Sequence, residues 1–364
     1  MARRENGLSS AVAIIAAVLT APFHLRAAPI CGNTDDIPTG RCAESQDDAL
    51  ILMTERYCRA LTEGVESAGS PYQKSVPEIH WIHSECGQGL NSPTPADPSG
   101  PFCITPRSFR EQTWSARYET LGLFATITAI GIANWEWGSS GFHFNGEGWF
   151  GEDTGSGGMD KLGHAYTTYL MTDFLTDAIQ DRSSDSRGGE ITAALLSISL
   201  TTYVEVFDGY SGDHGFSYED LLMDVLGAGF SVVRNKVPGL REKIDFRFQY
   251  LPSPDSSFNP FGDYEGQKYL IAVKLAGFDE LKETPLRRVE LHGGYYARGF
   301  SDKARRAGEP RDQEFYVGLG LNLGELLFGE GPHRDHRFSK AARTTLGYVQ
   351  LPYTYLSSDG NSGR

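Results

Sequence analysis

The spacing of hydrophobic residues changes near residue 240, and this change constrains the fold more than any other feature of the sequence. Upstream, apolar residues recur at the helical period of about 3.6, and downstream they alternate with polar residues as in strands. The sequence therefore predicts an α+β protein. We expect a bundle of about four helices over residues 107–240, an antiparallel β meander over 241–352 and a flexible tail over 353–364.

Alternating residues mark the predicted strands, with Pro, Gly and Asp turns between them. The runs are Ile244–Tyr250, Tyr269–Leu275, Val289–Tyr295, Phe315–Leu323 and a shorter Gly347–Leu351. Strands of about 9–11 residues can cross an outer membrane. Because only five runs are present, the sequence favours a sheet packed on the helices over a membrane-embedded sheet.

The predicted helices are Ser108–Trp137, Met159–Ile179, Glu190–Phe207 and Ser217–Asn235. No residue between Glu119 and Glu136 is charged, and Tyr118, Trp135 and Trp137 flank this run as aromatic residues do at membrane interfaces. The run is shorter than the roughly 20 residues that span a hydrocarbon core. A buried core helix is therefore favoured, with membrane embedding as the alternative.

The N-terminal 28 residues have the features of an export signal, since Arg3 and Arg4 precede an apolar stretch that ends near Ala27 and Ala28. A retained membrane anchor is the alternative. The following segment, 29–106, is rich in Pro and contains all five cysteines: Cys31, Cys42, Cys58, Cys86 and Cys103. In an exported chain this distribution predicts a disulfide-stapled extension, and a zinc site is less favoured because no CxxC pair occurs.

The charge balance limits the partners. With 33 basic and 47 acidic residues the formal net charge is −14, which argues against nucleic acid. The export signal instead suggests the envelope membrane or its lipids as a partner and places the chain in the periplasm or outer membrane of a Gram-negative bacterium. The sequence does not predict an oligomeric state.

Charged residues and one histidine cluster at the ends of three otherwise apolar helices. They are Asp160, Lys161, His164, Glu205, Asp208, Asp220 and Asp224. Isolated charges are costly in an apolar interior, so we expect these acids to share a partner: His164, Lys161, a divalent metal or a substrate. A divalent metal is the one cofactor that this pattern suggests. Crowded carboxylates also raise one another's pKa, which suits a general acid.

Structural roles account for several of these residues individually. Ser217 and Asp220 have the spacing of a capping box, so Asp220 could serve only the helix start. Asp160 lies near a helix N-terminus, where a negative charge is favourable. Gly227 and Gly229 carry no side chain and would let a neighbouring helix approach closely.

Three segments of the chain resemble the YfiM-like family of predicted periplasmic lipoproteins. They are TGSGGMDKLGHAYTTY, EVFDGYSGDHGFSYEDLLMDVLGAG and FNPFGDYEGQKYLIAVKL, and the likeness covers about residues 118–325. The chain is more distantly similar to the VanZ-like membrane family. Both resemblances imply functional positions at Asp160, Lys161, His164, Glu205, Asp208, Asp220, Asp224 and Gly227. The chain departs from the first family at Asp224, where members usually have Asn, and in its poor lipid-attachment sequence before Cys31.

The resemblance implies a location and a fold rather than an activity, so two hypotheses follow. In the first, the chain is a structural or accessory envelope protein with a buried Asp/His/Glu cluster. In the second, it is a metal-assisted or general acid–base hydrolase of an envelope lipid or glycan. The catalytic residues would then be Asp160, Lys161, His164 and Glu205, and the metal ligands Asp160, His164, Glu205, Asp208 and Asp224; Ser217, Asp220 and Gly227 would be structural.

Overall fold

The computed structural model describes residues 106–254, 258–329 and 336–363. The predicted signal peptide and the predicted disulfides lie outside the described residues, and both stay predictions. The helices, in chain order, are α1 (Pro106–Ser115), α2 (Arg117–Asn134), α3 (Met159–Arg182), α4 (Gly189–Asp208), α5 (Tyr218–Lys236), α6 (Leu240–Lys243), α7 (Asp302–Ala307), α8 (Leu323–Phe328) and α9 (Arg337–Leu346).

The first predicted helix differs from the structure in two respects. It is divided into α1 and α2 at Ala116, whose φ of −96° and ψ of 11° are not helical. Helix α2 is also not a buried core helix, because Thr128 and Gly131 are its only buried residues. It packs through one narrow side, where Gly131 lies against the Trp137 ring and the Thr128 hydroxyl lies 3.1 Å from that of Tyr203.

Helix α4 is, within the described part of the chain, the one helix long and apolar enough to cross a membrane. It contacts α3 and α5, and many of its residues are buried between them. A core helix of a soluble protein has the same length and composition. The length and composition of α4 are therefore compatible with a membrane span and with a core helix alike.

Helices α3 and α5 run in the same direction and are joined by buried hydrogen bonds. The Thr168 hydroxyl donates to Asp224 at 2.7 Å, and further along both helices the Ser231 hydroxyl donates to Asp173 at 2.5 Å. The face of α5 that carries Asp224 and Ser231 is therefore turned toward α3. Because both helices bury these groups completely, the hydrogen bonds also fix their register.

Gly227 allows the two helices to approach closely. A Cβ at this position would lie 2.0 Å from the carbonyl oxygen of Ala165 on α3, so no larger residue fits without separating the helices. Gly229 differs from the expectation, since nothing lies within 4 Å of a Cβ placed there.

The strands form one antiparallel meander, as the sequence predicts. They are β1 (Ile244–Tyr250), β2 (Gln267–Lys274), β3 (Val289–Arg298), β4 (Asp312–Leu321) and β5 (Tyr355–Ser357), in that order across the sheet. The predicted position of the fifth strand is wrong: Val349 forms only an isolated bridge to Phe248, and β5 lies within the predicted flexible tail. Strand β4 also ends before Leu323, because Asn322 caps α8 by accepting a hydrogen bond from the Glu325 amide.

The two faces of the sheet differ in polarity, most clearly along β1 and at the start of β3. One face buries ionic and polar side chains, with Arg247 donating to Glu290 at 2.6 Å and to Asp245 at 2.9 Å. The opposite face is apolar, and over β1 and β2 it packs against Tyr166 and Tyr169 of α3. An aromatic core thus joins the helices to the first half of the sheet.

Candidate functional site

Two consecutive glycines turn the preceding loop into α3. Gly157 and Gly158 have φ values of 64° and 85°, a conformation that favours glycine. A Cβ at Gly157 would also lie 2.7 Å from that of Ala297, so the loop passes close to β3. This turn starts α3 at Met159 and places Asp160 and Lys161 in its first turn.

Lys161 lies at the centre of three carboxylates. Its Nζ lies 2.8 Å from Glu147, 2.9 Å from Asp160 and 2.8 Å from Asp220, while its side chain is only 1% exposed. Burial opposes the charge, but the neighbouring carboxylates outweigh burial and hold the pKa of Lys161 above its usual range. Lys161 is therefore a permanent buried cation that binds three segments of the chain together.

His164 lies one turn further along α3 and faces a second group of acids. Its Nδ1 lies 3.3 Å from Asp224 and 3.6 Å from Glu205, and its Nε2 lies 4.0 Å from Asp220. Burial disfavours the charged ring, but these carboxylates raise the pKa of His164 well above its usual value. Asp224 of α5 is the carboxylate nearest to the ring.

The end of α4 meets the start of α5 through a shared cap. Ser217 accepts a hydrogen bond from the Asp220 amide at 3.2 Å, which is the serine half of the expected capping box. In a capping box the amide of the N-cap residue donates to the side chain three residues later. Here the Ser217 amide donates to Glu205 of α4 instead, at 3.2 Å. The Asp220 side chain is thereby available to contact Lys161 and His164, in addition to its place in the helix start.

A cavity of about 50 Å³ lies among these side chains. Its lining residues are Glu147, Asp160, His164, Glu205, Asp208, His214, Gly215, Asp220 and Tyr264. It has room for an ion or a few waters, since one water needs about 10–15 Å³ on this scale. Organic ligands occupy pockets of about 300–1,000 Å³, so the cavity does not enclose a substrate.

Two residues of the cavity, Glu147 and Asp208, differ from the sequence prediction. The sequence pattern does not predict Glu147 as part of the site, because this residue lies in an irregular loop that has no period to orient it. Asp208 lines the cavity, but its carboxylate also accepts a hydrogen bond from the Trp137 indole at 2.6 Å. Burial raises the pKa of Asp208, with that hydrogen bond opposing the rise.

Among the residues that the structure describes, two groups of side chains place candidate metal-ligand atoms within 4.8 Å of one another: His164, Glu205 and Asp220, and Glu147, Asp160 and Asp220. All three members of the second group contact the Lys161 ammonium, which a metal ion would have to displace. The first group contacts Lys161 through Asp220 alone, and its other two members, His164 and Glu205, lie 3.6 Å apart and line the cavity. It is therefore the better candidate for a cation.

Two glutamates of the cluster favour protonation. Burial raises the pKa of Glu205 to about 8, although the nearby His164 opposes this rise. Burial likewise raises the pKa of Glu147 to about 7, against the effect of Lys161. Neighbouring aspartates surround both glutamates with negative charge, and a bound cation would neutralise this charge.

The raised pKa of Glu205 predicts a specific pH dependence of stability. Between the unperturbed value of 4.5 and about 8 the folded state binds the extra proton, so ionisation of Glu205 destabilises the fold as pH rises through this window. In the presence of a chelator, Glu205→Gln should therefore raise the free energy of unfolding at pH 9 by about 1–3 kcal/mol and change it little at pH 5. Urea unfolding at both pH values measures the difference, and an equal effect at both would contradict the assignment.

The fold and the cluster together define an α+β protein in which three helices bury acids and a histidine around a small cavity. Residues 146–236 match the model of a family described as predicted periplasmic lipoprotein (DUF2279). This stretch contains α3, α4, α5 and the loop that carries Glu147, and therefore the whole cluster. The description agrees with the expected export to the periplasm or outer membrane. Searches of curated proteins and of solved structures gave no significant match.

Proposed function

We propose that the chain is an exported accessory protein of the cell envelope and that its helical part binds a divalent cation through His164, Glu205 and Asp220. The observation that carries this proposal is the approach of three ligand atoms to within 4.8 Å of one another. Metal–ligand bonds of about 2.0–2.6 Å allow one ion to reach all three without movement of the backbone. The finer likeness to the YfiM-like family is part of the same proposal.

The charge of the cluster supports a cation as the missing partner. Five acidic side chains line the cavity, and a sixth, Asp224, lies 3.3 Å from the Nδ1 atom of His164. Asp224 is completely buried, and among the described residues no donor reaches its Oδ2. A buried carboxylate without full compensation is costly, and a divalent ion beside it would reduce that cost.

The size of the cavity favours this role over the hydrolase hypothesis. An ion fits into about 50 Å³, whereas a sugar ring or a lipid headgroup does not. Asp160 and Lys161 are also held in the ion pair beside the cavity, which limits their freedom to transfer protons. The catalytic roles suggested for these residues therefore have less support than a cation site.

The ligand chemistry indicates the class of ion. One imidazole with two carboxylates suits a first-row divalent cation such as Mn²⁺ or Zn²⁺. His164 must lose its proton to become a ligand, and Glu205 must be ionised. Binding should therefore release protons and strengthen as pH rises from about 6 to 8.

Calorimetric titration of the chelator-treated protein with MnCl₂ and with ZnCl₂ tests the proposal. We expect saturable binding of one ion per chain and an affinity that falls at least about tenfold in His164→Ala. His336→Ala is the matched control, because His336 is exposed on the N-terminal end of α9. Absence of binding by the wild-type chain, or an equal affinity in His164→Ala, would overturn the proposal.

A further inference from the structure

The apolar face of the sheet is covered by helices over β1 and β2 but is exposed over β3, β4 and β5. Its exposed side chains are Leu291, Phe315, Val317, Leu319, Leu321 and Leu356. Strand pairing places them side by side, since Leu291 is opposite Leu319, and Leu319 is opposite Leu356. Phe315 and Leu356 are 78% and 77% exposed. These six residues form what we call the open face.

The reverse side of the same strands is buried, with ionic side chains at the start of β3 and tyrosines further along (Tyr296, Tyr316 and Tyr355). Glu290 and His292 of β3 are 0% and 3% exposed, although they alternate with the exposed Leu291. In a sheet with one face in water, apolar side chains point to the core and polar side chains to the solvent. Around Leu291 of β3 this order is inverted, and such an inversion is typical of sheets whose outer face contacts lipid.

We propose that the open face inserts into the lipid bilayer of the envelope. The face itself carries no charge, and charged residues lie at its ends: Asp312 and Glu314 precede Phe315, and Arg287 and Arg288 precede β3. Aromatic rings mark one of these ends, where Phe150 packs on Tyr295 and Tyr295 on Phe315. Phe150 and Phe315 are exposed there, and exposed aromatic rings are typical of the boundary between headgroups and hydrocarbon.

The length of the open face defines the depth of insertion. From Phe315 to Leu321 a strand extends about 20 Å at about 3.3 Å per residue. At the tilt of about 45° common in membrane sheets this covers about 14 Å, close to half of the roughly 30 Å hydrocarbon core. The open face therefore reaches through one leaflet and does not span the membrane.

Flotation with lipid vesicles tests this surface independently of the cation site. The purified full-length chain is mixed with vesicles of phosphatidylcholine, or of phosphatidylethanolamine with phosphatidylglycerol, and floated on a density gradient. The variant Phe315→Thr, Val317→Thr, Leu319→Thr keeps β-forming residues but removes apolar surface. Its partition into vesicles should fall about tenfold or more. The variant Leu121→Gln, Leu222→Gln, Leu226→Gln replaces comparably exposed leucines of α2 and α5 and is the control.

The expected outcome includes two further properties. Binding should persist in about 1 M NaCl, where charge attraction is screened within about 3 Å. It should not depend on anionic lipid, because the chain has a net charge of −14. All variants keep the same N-terminus, so a contribution of the signal peptide is equal among them. Equal flotation of the sheet variant and the wild type would overturn the proposal. So would wild-type protein that stays with the soluble fraction, or a dimer in light scattering that only the sheet variant loses.

Discussion

Lys161→Met is expected to lower the free energy of unfolding by about 3–5 kcal/mol at pH 7. The substitution keeps the length of the side chain but removes the ammonium from among three carboxylates. Glu147, Asp160 and Asp220 would then repel one another without a compensating charge, in a region where Asp220 is 5% exposed. Urea unfolding followed by circular dichroism measures the loss.

Lys282→Met is the matched control for this prediction. Lys282 pairs with Asp279 at 2.6 Å, but both side chains are at the surface, so the variant should leave the free energy of unfolding nearly unchanged. The cost of Lys161→Met should also shrink at pH 5, because burial raises the pKa of Glu147 to about 7 and this carboxyl is then protonated. Similar effects of the two substitutions at pH 7 would show that Lys161 does not hold the cluster together.

Gly227→Ala is expected to destabilise the protein by about 3 kcal/mol or more, because its Cβ would overlap the backbone of α3. The added Cβ would lie 2.0 Å from the Ala165 carbonyl oxygen, and a backbone atom cannot rotate away as a side chain can. Separation of α3 from α5 would also lengthen the contact between His164 and Asp224, which bridges the same two helices.

Gly229→Ala provides a sharp comparison two residues away on the same helix. No atom lies within 4 Å of its Cβ, so the variant should be neutral or more stable by up to about 1 kcal/mol, the usual gain in helix propensity. Thermal unfolding of Gly227→Ala and Gly229→Ala measures the difference in stability between the two variants. Equal effects at the two positions would contradict the packing of α3 on α5.

Much of the helical part could be predicted because its signals are local. The face of α5 that carries Asp220, Asp224, Gly227 and Ser231 repeats every three to four residues, and the structure turns that face toward α3. Glu147 could not be found in this way. It lies in a loop without a period, and only the tertiary fold brings it to 2.8 Å from Lys161.

The sheet shows a different limit of sequence reasoning. Alternation along β1 separates Asp245 and Arg247 from Phe246 and Phe248, but it does not tell which side is buried. Both sides are buried: the apolar side packs against α3, and the polar side receives partners from other parts of the chain, with Arg234 and Lys274 at 2.8 and 2.7 Å from Asp245. Pairing of this kind has no short-range signal, so the burial of the polar side became visible only in the structure.

The cation site is tested most directly by an anomalous diffraction map from crystals of the protein grown with MnCl₂ or ZnCl₂. We expect a peak among His164, Glu205 and Asp220, about 2.0–2.6 Å from their ligand atoms, with Lys161 still paired to Asp160. An absence of density there, with these side chains directed separately into solvent, would show that the distant acids and the histidine do not converge to bind a cation.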